Sequence, residues 1–574
     1  MPIPSRWSTH VPNVSLPTWM FGDPLSSLPD YTAYIDVNQP DAHTLSYEDY
    51  RLWSKRIGLG LQNAGLRPGD RVLFFGGNHL LFPCIFMGVI MAGGVFTGAN
   101  PAFTTQELTY LLQDSGPTFV IARPDVLVIA TEAVGRLGLP KSRIYVFDGS
   151  DVNMPSSDSL GERHWSQLVA DGNDAQSFQW VEPMDPASTT CCLNYSSGTS
   201  GLPKGVETTH INYVATGEAA MIHRDLLKSG DQTERALCFL PMYHAAAQTV
   251  YAIDYPKMGI TTYMMPSFNF VQMLECIQRF GITELLVAPP IVQALCSPLA
   301  RKYNLSSVKA IFSGTSPLSP KLALQVEQLW PNREVQIRQA WGMTELTGAG
   351  AVWDASSVPI PESVGEVVPN GTIKLMDGER EITEPNVPGE MWFSGPAMMK
   401  GYWQNPTATQ ETIIEEDGIR WLKTGDLAYV DSYSPGANIF LVDRIKELIK
   451  VKGFQVPPAE LEAVLLQCPG VADAGVVGVQ LEGTEVPRAY VVKAADSTIT
   501  KQEITTWVEE RLTEYKWLKG GVAFVNSIPR NPVSDVSLGL MMDQANINDF
   551  QAGKILRRIL RDRAAEEIGV TALN

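Results

Sequence analysis

Short runs rich in β-branched and apolar residues alternate with helical runs through much of the chain, and this alternation constrains the fold most tightly. Residues 308–313, Val-Lys-Ala-Ile-Phe-Ser, read as a strand. Ser319 and Pro320 then open a helix through Leu329, serine as the cap and proline at the first helical position. Residues 284–288 and the segment after Pro290 repeat the pattern. Parallel strands need crossover connections, so the pattern predicts an α/β fold of parallel-rich, helix-covered sheets. At 574 residues there is room for a large compound domain and a smaller one. Beyond Asp443 the pattern turns compact and α+β: a helix over 457–467, strands over 471–479 and 488–493, then a capping box from Thr500 to Glu503 that opens another helix. There is no internal repeat and no low-complexity tract.

A formal charge of −18 argues against a general nucleic-acid binder, which needs a basic face to displace counterions. An acidic solvated surface accounts for it, and a polyanionic ligand must then find local positive charge. The seven cysteines form no CxxC or Cys/His metal spacing, and read as free thiols, mostly buried, of a reducing compartment. The N-terminus lacks the charged-then-apolar layout of a signal peptide. The longest apolar run, 80–96, carries several glycines and a proline and reads as a core helix before a membrane span. The C-terminal Ala-Leu-Asn is not a peroxisomal tail, so the expected location is cytoplasmic.

The densest chemistry lies in residues 195–206, Tyr-Ser-Ser-Gly-Thr-Ser-Gly-Leu-Pro-Lys-Gly-Val, after a run at 189–194 that reads as a short buried strand. Gly198, Gly201 and Gly205 let backbone amides approach an anion closely. Ser196, Ser197, Thr199 and Ser200 add hydroxyl donors, and Lys204 adds charge. That is a polyphosphate cradle. It is not a Walker loop, because no Gly-Lys-Ser/Thr closes it and no helical run follows directly. A Gly/Ser surface turn would explain the glycines but not the order of hydroxyls, lysine and glycine.

That order resembles the phosphate-binding signature of the adenylate-forming superfamily, in its acyl-CoA synthetase and 4-coumarate–CoA ligase branch. Residues 339–345, Gln-Ala-Trp-Gly-Met-Thr-Glu, resemble the family's Tyr-Gly-x-Thr-Glu motif. The resemblance implies Thr344 at the α-phosphate, Glu345 as the Mg²⁺ ligand, and Gln339 and Trp341 in the nucleotide site, with the tryptophan able to lie along the adenine. Ala340 stands where the family has glycine and narrows the backbone approach; alone, a Thr-Glu pair reads as a helix start. Residues 313–318, Ser-Gly-Thr-Ser-Pro-Leu, stand where relatives have a Gly-Ala-Ala-Pro-Leu turn against adenine, which implicates Gly314 and Thr315; a plain strand-to-helix turn is the other reading. Residues 423–426, Lys-Thr-Gly-Asp, match the family's Thr-Gly-Asp element, so Asp426 is expected to accept both ribose hydroxyls, with Arg444 beside it. Residues 443–455 resemble the plant coumarate ligase version: Lys446 at or beside a hinge, Lys450 and Gln455 in the thioester-forming step, Lys452 and Gly453 against CoA. A solvated basic stripe is the alternative there. Residues 240–244, Leu-Pro-Met-Tyr-His, match the segment whose histidine, His244, lines the acyl pocket and thiol tunnel, although a lone histidine is more often structural. Ala245, Ala246 and Ala247 make that wall roomy, which points to an aromatic or medium-chain acid. The resemblance divides the chain into an AMP-binding domain (1–442), a hinge (443–446) and a mobile C-terminal lid domain (447–574).

Near the C-terminus the family expects Pro-Arg-Asn-Pro-x-Gly-Lys-Ile-Leu-Arg-Arg as one string, whose lysine stabilises charge developing at the α-phosphate. Both halves are present, Pro529 to Pro532 and Ala552 to Arg558, with Lys554 in the second, but residues 533–551 separate them. Removing those 19 residues restores the motif. A surface loop is thermodynamically tolerable. The favoured reading is a retained intron, since the codons can accommodate a donor, a branch sequence and an acceptor at a length typical of short fungal introns. The whole implies an ATP- and Mg²⁺-dependent acid–CoA ligase acting through an acyl-AMP, with CoA and a small carboxylic acid as partners. Rival readings are a stand-alone adenylating enzyme that loads a carrier protein, and a nucleotide-binding homologue impaired by the interruption before Lys554.

Overall fold

The computed structural model describes residues 2–149, 163–196, 202–225, 234–314, 318–330, 335–353, 357–451, 454–481, 484–530 and 555–568. Among them, two large sheets carry the expected parallel order. In one, Val95–Ala99, Arg71–Phe75, Phe119–Ala122 and Ile144–Val146 run parallel, and Thr190–Ser196 joins Val95–Ala99 in the same sense. In the other, Thr32–Asp36, Thr261–Met264, Arg235–Cys238, Glu284–Val287, Ala310–Ser313 and Ile337–Gln339 are successive parallel neighbours. The apolar run over 80–96 resolves into a helix, Phe82–Met91, with every residue buried, followed by the strand Val95–Ala99. No described helix is long and apolar enough to cross a membrane. All seven cysteines are free thiols, six of them buried.

A third sheet differs from the parallel expectation. Thr372–Asp377, Gly389–Ser394, Ile419–Val430 and Ile439–Arg444 pair antiparallel, around a separate core that holds Trp341, Leu375, Met391 and Phe393. Its hairpins are cheap because their turns carry residues suited to positive φ: Asp417 (51°) and Gly418 (75°) join Ile413–Glu416 to Ile419–Val430. The chain then passes, between Arg444 and Ile449, into the two-stranded ribbon Ile449–Val451/Phe454–Val456 and the three-stranded sheet Val471–Leu481/Thr484–Lys493/Val522–Phe524. Helices Pro458–Leu465 and Lys501–Glu509 pack with this sheet, and the second opens on the Thr500–Glu503 capping box.

One helical stretch sets a wall of the site. Ala245–Gln248 runs on into a wider turn, Thr249–Asp254, and then Tyr255–Met258. Pro256 has no N–H, so it cannot serve the carbonyl of Ala252 in a regular turn or of Tyr251 in the wider one. Two buried phenols take over: the Tyr34 hydroxyl donates to the Tyr251 carbonyl and the Tyr50 hydroxyl to that of Ala252, each at 2.9 Å.

Candidate active site

The segment read as a phosphate cradle joins the two strands of a β-hairpin. Thr190–Ser196 and Lys204–Thr209 pair antiparallel, with Ser196 opposite Lys204. Ser197, Gly198, Thr199, Ser200 and Gly201 lie outside the described residues, but the pairing fixes both ends of the loop and places Ser196 and Lys204 together at its mouth. The incoming strand is anchored from below: the Asn194 amide donates to Gln248 Oε1 at 3.1 Å, and the Tyr213 hydroxyl to the same oxygen at 2.7 Å. Gln248 closes the short helix that begins after His244, so the cradle and the histidine wall share one buried polar tie.

Thr344 and Glu345 lie in the tight turn Thr344–Leu346, just past the parallel strand Ile337–Gln339. Glu345 is 6% exposed; its Oε1 accepts from the Tyr402 hydroxyl at 2.9 Å, and its carbonyl from the Met399 amide at 2.8 Å. Its other carboxylate oxygen has no partner among the described residues. A fixed hard oxygen with one free face suits Mg²⁺, which keeps most of its shell for phosphate and water. Glu345 thus offers one donor that fits the ion, and no group of three or more His/Cys/Asp/Glu suited to a metal occurs among the described residues.

Asp426 and Arg444 are cross-strand partners in the antiparallel sheet, ion-paired at 3.0 Å. The Thr-Gly-Asp element has a local logic. Gly425 sits at φ 70°, and the Thr424 hydroxyl accepts from the Asp426 amide at 3.1 Å, turning the carboxylate toward its partners. The other oxygen of Asp426 accepts from the Trp341 indole N–H at 2.8 Å. Trp341 is 5% exposed and lies in the core of this sheet, with its ring against Gly350. In this structure it is therefore a partner of Asp426 rather than an open platform. Gln339 is also committed: its Oε1 accepts from the Leu318 amide at 2.9 Å, and its amide donates to the Pro361 carbonyl. Gly314 lies at the C-terminal end of Ala310–Ser313, beside the turn at Ala340, whose amide donates to the Ser313 carbonyl at 2.9 Å; a Cβ at Gly314 would meet nothing closer than 3.8 Å. Thr315 lies outside the described residues.

His244 precedes the helix Ala245–Gln248 and is exposed, as is Ala246, yet the protein around it desolvates its imidazole. High exposure inside an enclosing shell is the signature of a side chain lining a cleft. Desolvation pushes its pKa down to about 4, so it is neutral near pH 7. Lys450 and Gln455 stand opposite each other in the ribbon, with Lys450 exposed. Lys452 and Gly453, which join those strands, lie outside the described residues, as do Lys554 and 533–551. The flanks of that segment are described: Arg530 bridges Ile555 antiparallel, and the Leu556 amide donates to the Pro529 carbonyl at 2.8 Å.

The structure thus joins Lys204 to Glu345 through Tyr402, and by a separate set of direct contacts joins Trp341, Asp426 and Arg444. The sequence reading missed Tyr402 and Thr249. Their only sequence signals are a Gly-Tyr pair and a threonine five residues past a histidine, neither of which names a partner.

A hairpin whose connecting segment carries the Gly/Ser/Thr-rich run ahead of Lys204, a buried Glu345 carboxylate and the Asp426–Arg444 pair, on a large α/β body followed by a small α+β unit, are the arrangement expected of an adenylate-forming enzyme. Residues 24–403 match the AMP-binding enzyme family and 460–533 the AMP-binding enzyme C-terminal domain, a match that ends on the first residue of the interrupting segment. The chain is 33% identical over 573 residues to phenylacetyl-CoA ligase epaB of Aspergillus niger, covering 98% of this chain and 99% of that one. It is 34% identical over 544 residues to 4-coumarate:CoA ligase 1 of Petunia hybrida, covering 92% and 91%. Its fold is similar to ATP-bound MatB from Rhodopseudomonas palustris, with a TM-score of 0.79 and 22% identity over 96% of this chain and 99% of that one. The chain belongs to the AMP-binding enzyme family, among its acid–CoA ligases.

Proposed function

We propose that this ligase activates an aromatic or medium-chain carboxylic acid, with residues 447–574 turning as a lid about 443–446 between its two steps. Support for an aryl acid comes from relatives named for phenylacetyl and 4-coumarate. It also comes from the open Ala246 beside His244, which leaves the wall of the cleft unfilled. In the first step a carboxylate oxygen of the acid attacks the α-phosphorus of ATP, the bond to pyrophosphate breaks, and acyl-AMP remains. Lys204 would neutralise phosphate charge at the mouth of the hairpin. Glu345 would hold Mg²⁺, which when bound supplies positive charge across the phosphates. Thr344 would donate to the α-phosphate, and Asp426, braced by Arg444 and Trp341, would accept from the ribose hydroxyls. In the second step the CoA sulfur attacks the acyl carbon, AMP leaves, and the thiol proton passes to solvent. His244, being neutral, would order the acid and thiol by shape and hydrogen bonding without a charge of its own. Lys554 would serve the first step; Lys450 and Gln455 would serve the second.

The carrying observation is the run of direct contacts from Lys204 through Tyr402 to Glu345, alongside Trp341, Asp426 and Arg444. The test is pyrophosphate release against a panel of aromatic, medium-chain and long-chain acids, with thioester measured in parallel, for the wild type and Ala246→Phe. We expect acid-dependent pyrophosphate release matched by thioester, and a narrower acid range in the variant. Acyl-AMP formation with no CoA turnover would overturn the two-step assignment, and an unchanged acid profile in Ala246→Phe would remove that wall from the pocket.

A further inference from the structure

Tyr402 is a buried aromatic residue whose two ends meet two different charges. It lies in the short strand Gly401–Tyr402, which pairs antiparallel with the outgoing strand of the cradle, Val206 opposite Tyr402. The register is locked on both sides. The Lys400 amide donates to the Glu207 carbonyl at 3.0 Å, and the Trp403 amide to the Gly205 carbonyl at 2.7 Å. From this fixed backbone the phenol O–H reaches Glu345 Oε1 at 2.9 Å, while the ring centroid lies 4.9 Å from the Lys204 ammonium. Lys204 has no carboxylate partner among the described residues. The ring face is the electron-rich side a cation seeks, and the hydroxyl is the donor a carboxylate seeks, so one side chain satisfies both without neutralising either. A carboxylate in place of Tyr402 would cancel the Lys204 charge, and a small apolar residue would free both groups to move.

We propose that Tyr402 is a positioning residue for the adenylation step, setting the Glu345 carboxylate and the Lys204 ammonium at a fixed separation against the ATP phosphates. The proposal rests on the roles given above to Glu345 and Lys204. It goes beyond them by assigning one side chain to hold both and by predicting that its two ends separate experimentally. The phenol end acts on the metal through Glu345. The ring end acts on phosphate through Lys204.

ATP binding is measured by titration calorimetry in Mg²⁺ and in EDTA for the wild type, Tyr402→Phe and Tyr402→Leu, with thermal melts to confirm folding. In the wild type Mg²⁺ tightens ATP; absence of that gain would count against the Glu345 reading itself, before Tyr402 is considered. Tyr402→Phe keeps the ring and loses the hydroxyl. Its Mg²⁺-dependent gain should fall by roughly tenfold, as for partners that orient a metal ligand, while its affinity in EDTA stays within about twofold. Tyr402→Leu should lose a further ~3-fold in EDTA, because the ring under Lys204 is gone. A wild-type gain that Tyr402→Phe retains in full, or a loss equal in Mg²⁺ and EDTA, would overturn the proposal. Should Tyr402→Leu fail to fold, the Tyr402→Phe comparison still decides it.

Discussion

Thr347 adopts φ 63°, the left-handed region that costs a β-branched residue roughly 1–2 kcal/mol, and it is wholly buried two residues after Glu345. Two hydrogen bonds hold it there: the Thr249 hydroxyl donates to its carbonyl at 2.7 Å, and its own hydroxyl donates to the Ala397 carbonyl at 2.8 Å. Thr249 belongs to the helical stretch that starts after His244, so that stretch is bonded directly to the turn that presents Glu345. Thr249→Val keeps the volume and leaves that carbonyl unpaired. It should cost about 1–3 kcal/mol in urea denaturation and lower kcat for pyrophosphate release, and Thr249→Ser should recover most of both. A valine variant equal to wild type in stability would remove Thr249 from this role. The contrast with Thr344 and Glu345 shows what one sequence carries. Those two are neighbours in a contiguous motif, so they can be read. Thr249 and Thr347 meet across 98 positions, and nothing local to either records the pairing. Trp341 was legible by place but not by orientation, since its indole's choice of Asp426 depends on a strand 85 residues away.

Among the elements, the parallel strands and the Thr500–Glu503 cap were legible because each depends on local periodicity or on residues three apart. The antiparallel third sheet went unread although Asp417-Gly418 marks one of its hairpins, because the βα alternation elsewhere set the expectation. The interruption before Lys554 is best judged at its flanks. Arg530 and Ile555 are bridged although 24 residues, 531–554, separate them. Removing 533–551 leaves five residues, Asn531, Pro532, Ala552, Gly553 and Lys554, between the same partners, a length common in hairpins. Shortening the connection from 24 to 5 residues lowers its entropic closure cost by about 1.4 kcal/mol by the logarithmic law. The deletion variant should therefore melt at the same temperature or slightly higher and release pyrophosphate at least as fast as the full chain. Loss of the C-terminal fold on deletion would mean that the segment contributes to packing. Detection of the segment in the dominant mature transcript would sink the retained-intron reading.

For the whole molecule, pH should act through three desolvated histidines. His79, His210 and His244 are each pushed from 6.5 to about 4, chiefly by desolvation. Each is depressed in the folded state, so the unfolded chain takes up protons first, and stability falls as pH drops from about 6.5 toward 4, by up to ~1.4 kcal/mol per unit for His79 and His210 and by less for His244, which is exposed and screened by water. Two buried acids act in the opposite sense. Asp254 is raised by burial, and Glu462 is pushed up to about 7 by burial despite its ion pair with Arg557 at 3.0 Å. A raised acid favours folding below its unfolded pKa of 4.5 and loses that contribution as pH rises through about 7, so Glu462 stabilises the C-terminal sheet on mild acidification while the histidines destabilise the larger body. His210 is the cleanest handle, because its Nδ1 accepts from the Leu16 amide at 3.1 Å and it stands outside the nucleotide contacts. Asparagine offers an oxygen for the same amide and does not titrate. In His210→Asn the fall in chemical-denaturation stability between about pH 6.5 and 5 should be shallower than wild type by ~1 kcal/mol per unit. Glu462→Gln should remove the counter-trend from the C-terminal transition while leaving the N-terminal slope in place. Parallel pH profiles for the wild type and His210→Asn would show that this histidine titrates normally in the folded chain and that the acid sensitivity of the large body arises elsewhere.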